Sequence, residues 1–332
     1  MPRVTIDDLA ARLGLSRASV SYALNGRPGV GEETRSRVLA LALELGWQPS
    51  ASARSLSRSR SDAYGLVINR RPEDLGSEPY YMGLLSGIES ALSDARASLM
   101  LRFVTGQDTE AAVYRQWSAE RRVDGVILTD LRRDDPRPAQ LDELSLPYLV
   151  HGARWQTDGW QFRQSDDATL LVLHLAELGH TVIAHISGPA DLQHEQERRT
   201  AVAEVADQQG MRTITVEGDY SVTGGERITH DLFRSDRQPT AIVFSNDLMA
   251  IGGMVAIRAL GRHDITLVSW DESLLCQTAD PGITALQRDP YHAGRNTATE
   301  LIRRAHTEAD IAVPDLTPVR SRLIIRESSH RA

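Results

Sequence analysis

The sequence of 332 residues is poor in cysteine and in aromatic residues, and it contains no lysine. Its single cysteine, Cys276, excludes an internal disulfide and a paired-cysteine metal site, so we expect a buried, inert thiol. No apolar run approaches the roughly 18 residues that a membrane-spanning helix needs. The N-terminus also lacks the pattern of a secretory signal. We therefore expect a cytoplasmic protein that makes no membrane contact.

Motifs that carry enzyme chemistry are missing as well. The sequence contains no G-x-S-x-G turn, no G-x-x-x-x-G-K-(S/T) phosphate loop and no H-E-x-x-H pair. His174, His180 and His185 are spaced six and five residues apart across a helix end and a strand, so local geometry does not bring them to one metal ion. We predict a protein that is not an enzyme and that uses no cofactor and no metal.

Charge is distributed unevenly along the chain. The net charge is −8, and all 37 basic residues are arginine. Residues 1–60 hold nine arginines against five acids, a balance of +4, which leaves −12 for the remainder. A basic N-terminal segment on an acidic body is typical of a head that binds a polyanion.

The segment from Thr5 to Asn25 has the pattern of two short helices. Thr5 is placed to cap the first helix, with Asp8 at the capping-box position, and Gly14 ends it. Ser16 is placed to cap the second helix. One face of the first helix is apolar, through Ile6, Leu9, Ala10 and Leu13. Two short helices joined by a glycine-containing turn are typical of a helix-turn-helix.

The second helix has a polar outward face without acidic residues. Val20 and Leu24 lie four residues apart and form its inward face. The residues that point the other way are Arg17, Ala18, Ser21, Tyr22 and Asn25. Such a face suits the floor of a DNA major groove. The alternative is an ordinary helical hairpin with a polar exterior.

A third amphipathic helix and a linker follow. Val38, Leu41, Ala42 and Leu45 form an apolar stripe that Gly46 ends. Residues 50–61 are rich in serine and arginine, with Leu56 as the one large apolar residue, and by composition they form a linker.

The rest of the chain alternates between strand-like and helical patterns. Strands are predicted at 64–68, 98–104, 124–129, 147–151, 181–187, 213–216, 240–245 and 265–270, with a final strand in SRLIIR. Helices are predicted at 81–95, 168–178, 195–209, 222–234 and 247–260. This alternation predicts parallel sheets covered on both faces, in two doubly wound lobes. Ligands of such lobes bind at the carboxyl ends of the strands, in the cleft between them.

The first fifty residues resemble the DNA-binding head and hinge of the lactose-repressor/galactose-repressor (LacI/GalR) family. The matching parts include the opening TIDDLA, the turn GLS, the helix SVS, the loop NGRPGV and the exit LGWQP. Body segments resemble the family in the same order, among them VDGVIL, HLAELGHTVIAHISGP, FSNDLMAIGGMVAIRALG and VSWDES.

The resemblance implies a fold and a domain division. It predicts an all-α helix-turn-helix head and an α/β periplasmic-binding-protein-like body of two doubly wound parallel-sheet lobes. The chain crosses between the lobes near 163, 288 and 320. The expected parts are a head at 1–49, a hinge at 50–61, an N-terminal lobe at 62–163 with 289–319, and a C-terminal lobe at 164–288 with 320–332.

The resemblance also implies DNA-binding residues. Arg17, Ala18 and Tyr22 fall where family members read base edges. Residues that fall at phosphate-contacting positions are Thr5, Ser16, Ser19, Ser21 and Asn25. Ala53 and Leu56 lie in the hinge that becomes helical on operator DNA, and Leu56 matches the leucine that wedges into a minor-groove step.

Polar and aromatic residues near the strand ends are the candidate effector ligands. Arg198 matches the family arginine that binds sugar hydroxyls. Asp271 follows one strand and accepts hydrogen bonds, while Tyr220 and Trp270 are placed to stack on a sugar. The remaining candidates are Asn69, Arg70, His194 and Asn246. Asp247 is expected to cap a helix.

Two departures from the family leave the effector open. Gly152 stands where some sugar-responsive members have an acid, with His151 and Arg154 beside it, so an acidic or phosphorylated ligand is also conceivable. Pro290 replaces an aromatic cleft residue of some members.

The combined prediction is a transcription factor, with a repressor as the favoured interpretation, although the residues do not decide between a repressor and an activator. It binds palindromic double-stranded operator DNA as a homodimer and responds to a carbohydrate or related small molecule by allostery. A dimer is expected because no heptad tail follows the final strand. The residues do not decide whether the effector releases or promotes DNA binding. The alternative is a two-lobed solute-binding protein of carbohydrate transport.

Overall fold

The chain folds into two compact units, Met1–Ser61 and Asp62–Ala332. The computed structural model describes residues 4–47, 60–70, 79–152, 163–234, 238–305, 316–317 and 319–329. In the first unit the helices are α1 (Ile6–Leu13), α2 (Arg17–Leu24) and α3 (Glu32–Glu44).

The predicted helix ends of the head are confirmed. The Thr5 hydroxyl accepts from the Asp8 backbone N–H, and the Asp8 carboxylate accepts from the Thr5 backbone N–H at 2.8 Å, which completes a capping box. Gly14 ends α1 in the left-handed conformation, with φ 64°. Ser16 caps α2 by accepting from the Ser19 N–H at 3.1 Å. The three helices enclose a small core of Leu9, Ala10, Val20, Ala23, Val38 and Ala42.

The second unit contains ten strands among its described residues. They are β1 (Ala63–Asn69), β2 (Ser98–Val104), β3 (Gly125–Leu128), β4 (Tyr148–Val150), β5 (Val182–Ser187), β6 (Arg212–Glu217), β7 (Ala241–Phe244), β8 (Thr266–Ser269), β9 (Thr284–Gln287) and β10 (Arg322–Ile324).

Helices alternate with these strands. They are α4 (Pro79–Asp94), α5 (Gln107–Ala119), α6 (Arg137–Glu143), α7 (Gln164–Glu177), α8 (Gln193–Gln208), α9 (Val222–Arg234), α10 (Asp247–Ala259), α11 (Leu274–Thr278) and α12 (Pro290–Ala305), with a 3₁₀ turn at Glu327–Ser329.

Two sheets divide this unit into two lobes. The N-terminal lobe has the parallel order β2-β1-β3-β4. The C-terminal lobe has the order β10-β9-β8-β7-β5-β6, parallel except for the β9–β10 pair. Both sheets carry apolar clusters on both faces. All four residues of β7 are fully buried, as expected of a central parallel strand.

Followed along its described residues, the chain changes lobe three times. It does so between β4 and α7, between β9 and α12, and between α12 and β10. Further along the cleft the lobes also touch through their backbones. The Arg133 N–H donates to the Asp191 carbonyl at 3.0 Å, and the Gln193 N–H donates to the Leu131 carbonyl at 2.8 Å.

The predicted strands and helices are confirmed with small shifts of their ends, but several elements were not predicted. These are α5, α6, α11, β9 and α12. The prediction of a buried Cys276 is confirmed, and burial raises the pKa of its thiol to about 12. Across the described ranges, no helix combines the length and the hydrophobicity that crossing a bilayer requires.

Candidate functional site

Helix α2 presents the predicted base-reading residues at the surface. Ala18 and Tyr22 are exposed, and the Arg17 side chain is 73% exposed. Its guanidinium lies 3.6 Å from the Asp7 carboxylate, a weak surface pair that leaves the side chain able to swing. Val20 and Ala23 point into the core instead. The helix therefore has one face available to a partner.

The predicted phosphate-contacting residues of the head make local hydrogen bonds. The hydroxyls of Ser16 and Ser19 lie 2.9 Å apart. Asn25 donates through Nδ2 to the Ser21 carbonyl at 2.8 Å, and the Thr5 hydroxyl donates to Asp8 at 2.7 Å. Ala53 and Leu56 lie outside the described residues.

A cavity of about 110 Å³ lies between the two lobes at the carboxyl ends of their strands; we call it the primary cavity. Predicted effector ligands from both lobes line it, namely Arg70, His194, Arg198, Tyr220, Asn246 and Asp271. Walls from both lobes mean that a ligand here would contact both.

Arg198 is held rigidly in the wall of the primary cavity. Its Nε donates to Gln164 at 3.0 Å, and its Nη1 donates to Glu195 at 2.7 Å and to the Ser245 carbonyl at 3.0 Å. Within the described part of the chain, no acceptor lies within hydrogen-bond distance of Nη2. The guanidinium also covers the Trp270 ring, 4.8 Å from its centroid. Arg198 is therefore fixed in orientation and keeps one donor nitrogen for a ligand.

Glu195, which was not predicted, organises this region. Its fully buried carboxylate accepts hydrogen bonds from the Gly188 N–H (2.7 Å), the Ser245 hydroxyl (2.8 Å), the Tyr220 hydroxyl (2.8 Å) and Arg198. Burial opposes ionisation, but Arg198, the neighbouring histidines and the Gly188 N–H together outweigh it and lower the pKa of Glu195 to about 2. Glu195 thus stays charged and anchors two cavity residues.

Asp271 is paired with a second unpredicted residue, Arg288. The Arg288 Nη1 donates to the Asp271 carboxylate at 3.0 Å, and its Nε lies 3.4 Å from Asp167. The guanidinium also lies 5.2 Å from the Tyr80 ring centroid. Arg288 belongs to the segment after β9, and it links Asp271 to Tyr80 in α4 of the other lobe.

Arg70 forms a corresponding pair on the N-terminal lobe. Its Nη2 donates to Asp130 at 2.9 Å, and the Tyr81 hydroxyl donates to the same carboxylate at 2.6 Å. Burial alone would raise the pKa of Asp130, but Arg70, His194 and the Tyr81 hydroxyl together outweigh it and lower the pKa well below its usual value. The Arg70 guanidinium lies 5.8 Å from the Tyr220 ring of the other lobe.

Two histidines in the wall of the primary cavity come from different lobes, His194 from the C-terminal lobe and His151 from the N-terminal lobe. His194 Nε2 lies 3.0 Å from the Tyr220 hydroxyl. His151 lies between the Tyr80 hydroxyl and the Thr297 hydroxyl, each at 3.0 Å, and burial lowers its pKa to about 4. His151 is therefore neutral at pH 7 and can donate from one ring nitrogen and accept at the other.

Three predicted roles need correction. Trp270 is fully buried beneath Arg198 and stacks on His185, so it does not reach the primary cavity. Asn69 bonds Glu110 and the Gly106 N–H, and it lines a neighbouring cavity. Asn246, not Asp247, caps α10 by accepting from the Met249 N–H at 2.9 Å.

The cap limits what Asn246 can offer a ligand. Its side-chain oxygen is used by the cap, and its Nδ2 donates to the Tyr220 carbonyl at 3.0 Å. The Asp247 Oδ1 accepts from the Leu248 N–H at 2.9 Å, and burial raises the Asp247 pKa to about 6.

The signal for the missed residues was partly present in the sequence. Asp130 directly follows a predicted strand, as Asp271 does, and the same rule would have selected it. Arg288 follows β9, a strand that was not predicted, so no rule pointed to it. Glu195 has no sequence signal beyond its place one turn before Arg198.

The arrangement suits a neutral, hydroxyl-rich ligand. Charged donors and acceptors alternate around the primary cavity, and the tyrosines at positions 80, 81 and 220 supply aromatic surface. No group of three or more potential metal ligands is assembled within the described residues.

Comparison with known proteins identifies both parts of the chain. Residues 5–50 match the bacterial regulatory proteins of the lacI family, and residues 172–329 match a periplasmic binding protein-like domain. The HTH-type transcriptional regulator CelR of Thermobifida fusca is 32% identical over 340 aligned positions, which cover 98% of each chain.

Two solved structures extend the comparison. A complex of the transcriptional regulator CelR with cellobiose has a TM-score of 0.73 at 28% identity and covers 98% of this chain and 100% of that one. A lac repressor dimer bound to operator and the anti-inducer ONPF has a TM-score of 0.81 at 26% identity, with 99% of each chain covered. A transport protein of similar body would not carry the helix-turn-helix head. The chain belongs to the LacI family of helix-turn-helix transcriptional regulators.

Proposed function

We propose that this regulator is a repressor that binds a palindromic operator as a homodimer and is controlled by a carbohydrate in the primary cavity. The observation that carries the effector assignment is the wall of that cavity, where Arg198 and Asp271 from one lobe face Arg70 and Tyr80 from the other. We place the protein in the cytoplasm, where both the chromosome and small metabolites are available to it.

The head supports operator recognition by α2. Arg17 is the strong guanine reader on its exposed face, because a guanidinium donates to both major-groove acceptors of guanine. Ala18 offers a methyl group to a thymine methyl, and Tyr22 adds a hydroxyl and a ring. Leu56 in the linker is the residue that we assign to the minor-groove wedge.

The primary cavity supports carbohydrate binding through fixed polar groups. The free Nη2 of Arg198 and the Asp271 carboxylate form a donor and an acceptor for neighbouring hydroxyls. Tyr80 and Tyr220 supply rings for the apolar faces of a sugar. Arg198 and Arg70 are both held by carboxylates before the ligand arrives, which lowers the entropy cost of binding.

The control mechanism follows from the two-lobed wall. A ligand that contacts both lobes favours the lobe arrangement in which both sets of contacts form. A change in lobe angle alters the separation of the paired hinges in the dimer and so their fit to the two half-sites. The change in operator affinity is limited by how much more tightly the ligand binds one lobe arrangement than the other.

Two measurements test this proposal. The full-length protein is screened against a sugar panel by thermal shift, and an operator is selected from random duplexes. Each sugar that stabilises the protein is then added to a gel shift with that operator. We expect an inverted-repeat operator and at least one sugar that changes its affinity. Binding no better to any inverted repeat than to random duplex would contradict the operator assignment, and no stabilising sugar would contradict the effector assignment.

A further inference from the structure

A second cavity of about 520 Å³ adjoins the primary cavity; we call it the adjoining cavity. It lies at the carboxyl ends of β1, β2 and β3, and it faces the loops that follow β5 and β6 of the other lobe. Four residues line both cavities, namely Arg70, Thr129, Asp130 and Tyr220. The two cavities are therefore neighbouring chambers of one cleft.

The shared wall contains unusual backbone geometry. Asp130 has φ 50° and Tyr220 has φ 64°. Glycine, Asn and Asp adopt such values readily, so the conformation of Tyr220 is the unusual one. Strain of this kind persists where surrounding contacts hold it, and it clusters at ligand sites. Here Asp130 is held by Arg70 and Tyr81, and Tyr220 is held by Glu195. The wall is thus a rigid, charged edge between the chambers.

The adjoining cavity has its own built polar floor. Glu110 is 2% exposed and Arg137 is 9% exposed, and their side chains are joined at 2.9 Å. Asn69 donates to Glu110 at 3.2 Å and accepts from the Gly106 N–H at 2.9 Å. Buried charges held this way form a fixed polar surface rather than a solvent groove.

A third cavity provides a contrast. It measures about 690 Å³ and touches the primary cavity through Gly152 and Gln164, on the flank of α7 and α8. Of its described lining residues only Ala201, at 8% exposure, is buried, and its polar side chains lie at the surface. We call it the flank cavity, and its surface is not organised for recognition.

We infer that the adjoining cavity is a second sugar subsite and that the effector is at least a disaccharide. One unit occupies the primary cavity, the next occupies the adjoining cavity, and the linkage passes the wall of Arg70, Asp130 and Tyr220. Asp130 then accepts from a hydroxyl near the linkage, and Tyr220 contacts both units. This inference rests on the carbohydrate assignment made above.

The test uses two cavity-filling variants of the full-length protein. Leu248→Trp places a large side chain in the adjoining cavity, because Leu248 lines that cavity and not the primary one. Thr200→Trp is the matched control and fills the flank cavity. Calorimetry measures the binding of glucose, galactose, maltose, cellobiose, lactose and cellotriose to each.

We expect a disaccharide to bind the parent protein about tenfold or more tightly than its own monosaccharides. Leu248→Trp should weaken that disaccharide about tenfold and leave monosaccharide affinity within about twofold, while Thr200→Trp changes neither. Retained monosaccharide binding shows that the variant is folded. Asp130→Asn, which keeps the side-chain shape, should also weaken the disaccharide more than the monosaccharide.

Other outcomes overturn the inference in distinguishable ways. Equal affinity for a monosaccharide and the disaccharides, unaffected by Leu248→Trp, removes the second subsite and leaves the carbohydrate assignment standing. A loss of disaccharide binding in Thr200→Trp alone moves the second unit to the flank cavity. If none of the six sugars binds, the carbohydrate assignment fails and the second subsite fails with it.

Discussion

At the scale of single residues, Glu195 is the centre on which the candidate effector site depends. A buried carboxylate is stable only when donors surround it, and Glu195 has four. Two of those donors, Arg198 and Tyr220, also line the primary cavity. Glu195 therefore acts through them, as a positioning residue for the ligand.

The first prediction separates the ligand role of Arg198 from its role in stability. Arg198→Gln should abolish sugar-induced stabilisation and also lower the free energy of unfolding by about 3 kcal/mol, because it leaves Glu195 buried without its cation. The double variant Glu195→Gln with Arg198→Gln should recover much of that stability without recovering ligand binding. Thermal shifts with and without sugar measure both effects.

Arg199 provides the matched control for this experiment. It is the next residue on α8, donates to the Ser187 hydroxyl at 2.8 Å and does not line the primary cavity. Arg199→Gln should keep the response to sugar. A double variant that binds sugar as the parent does would show that Arg198 only compensates Glu195.

The second prediction concerns pH and His185. This fully buried ring lies 3.1 Å from the Ser245 hydroxyl through Nε2, and burial lowers its pKa from 6.5 to about 4. Below pH 6.5 the unfolded chain takes up the proton before the folded one, so stability is highest above pH 6.5 and falls as pH drops toward 4. Between pH 7 and pH 5 this one ring should cost about 2 kcal/mol.

Urea unfolding at the two pH values checks this. The difference between pH 7 and pH 5 should shrink in His185→Gln and stay as in the parent in His263→Gln, whose side chain is exposed. An undiminished difference in His185→Gln would mean that other groups cause the acid sensitivity.

At this scale the sequence pointed to two residues by different routes. Asp271 was selected because it follows a strand and Arg198 because of the family resemblance, and both lie in the wall of the primary cavity. Trp270 was misplaced because position after a strand does not say which way a side chain turns, and its large ring is buried under Arg198. Pairings between distant residues, such as Arg288 with Asp271, leave no local pattern.

At the scale of elements, the pair α4 and α12 shows how closely the helices of the N-terminal lobe approach. A Cβ added at Gly87 of α4 would lie 1.8 Å from the Tyr291 carbonyl oxygen of α12. Only glycine permits this approach, because the opposing atom is backbone and cannot move aside. Likewise, a Cβ added at Gly294 of α12 would lie 2.3 Å from the Leu84 carbonyl oxygen of α4.

The third prediction follows from this packing. Gly87→Ala should lower the free energy of unfolding by about 1–3 kcal/mol, although alanine favours a helix, because overpacking separates the two helices. Ser86→Ala, on the exposed side of the same turn, should change it by less than about 0.5 kcal/mol. Urea unfolding midpoints measure both. A neutral or stabilising Gly87→Ala would show that the helices can shift apart freely.

The elements that sequence reasoning missed share a physical cause. Helix α12 begins with a proline and buries small polar residues such as Asn296 and Thr297, so its core face carries little apolar periodicity. Strand β9 is four residues long and ends at the charged segment before α12. Strands such as β5 and β7 were predicted because burial on both faces demands a continuous hydrophobic run.

At the scale of the whole molecule, the proposed control mechanism implies thermodynamic linkage between sugar binding and operator binding. If a sugar changes operator affinity by some factor, operator must change sugar affinity by the same factor. The coupling needs both lobes to contact the ligand, and the primary cavity meets this condition.

The fourth prediction tests the linker in this coupling. Leu56→Ala should weaken operator binding by about tenfold or more, because the minor-groove wedge is lost, and it should leave sugar affinity intact. Gel shifts and calorimetry measure the two affinities, with Ser57→Ala as the neighbouring control. Unchanged operator affinity in Leu56→Ala would remove the wedge role.

Because the Cys276 thiol is buried, it does not interfere with dye labelling that would follow lobe movement. Its thiol is buried and its pKa is about 12, so maleimide reagents at neutral pH find little thiolate there. Cysteines introduced at one exposed position on each lobe would accept a donor and an acceptor dye with the native thiol left in place. Single-molecule energy transfer could then follow opening and closing in the otherwise unaltered chain.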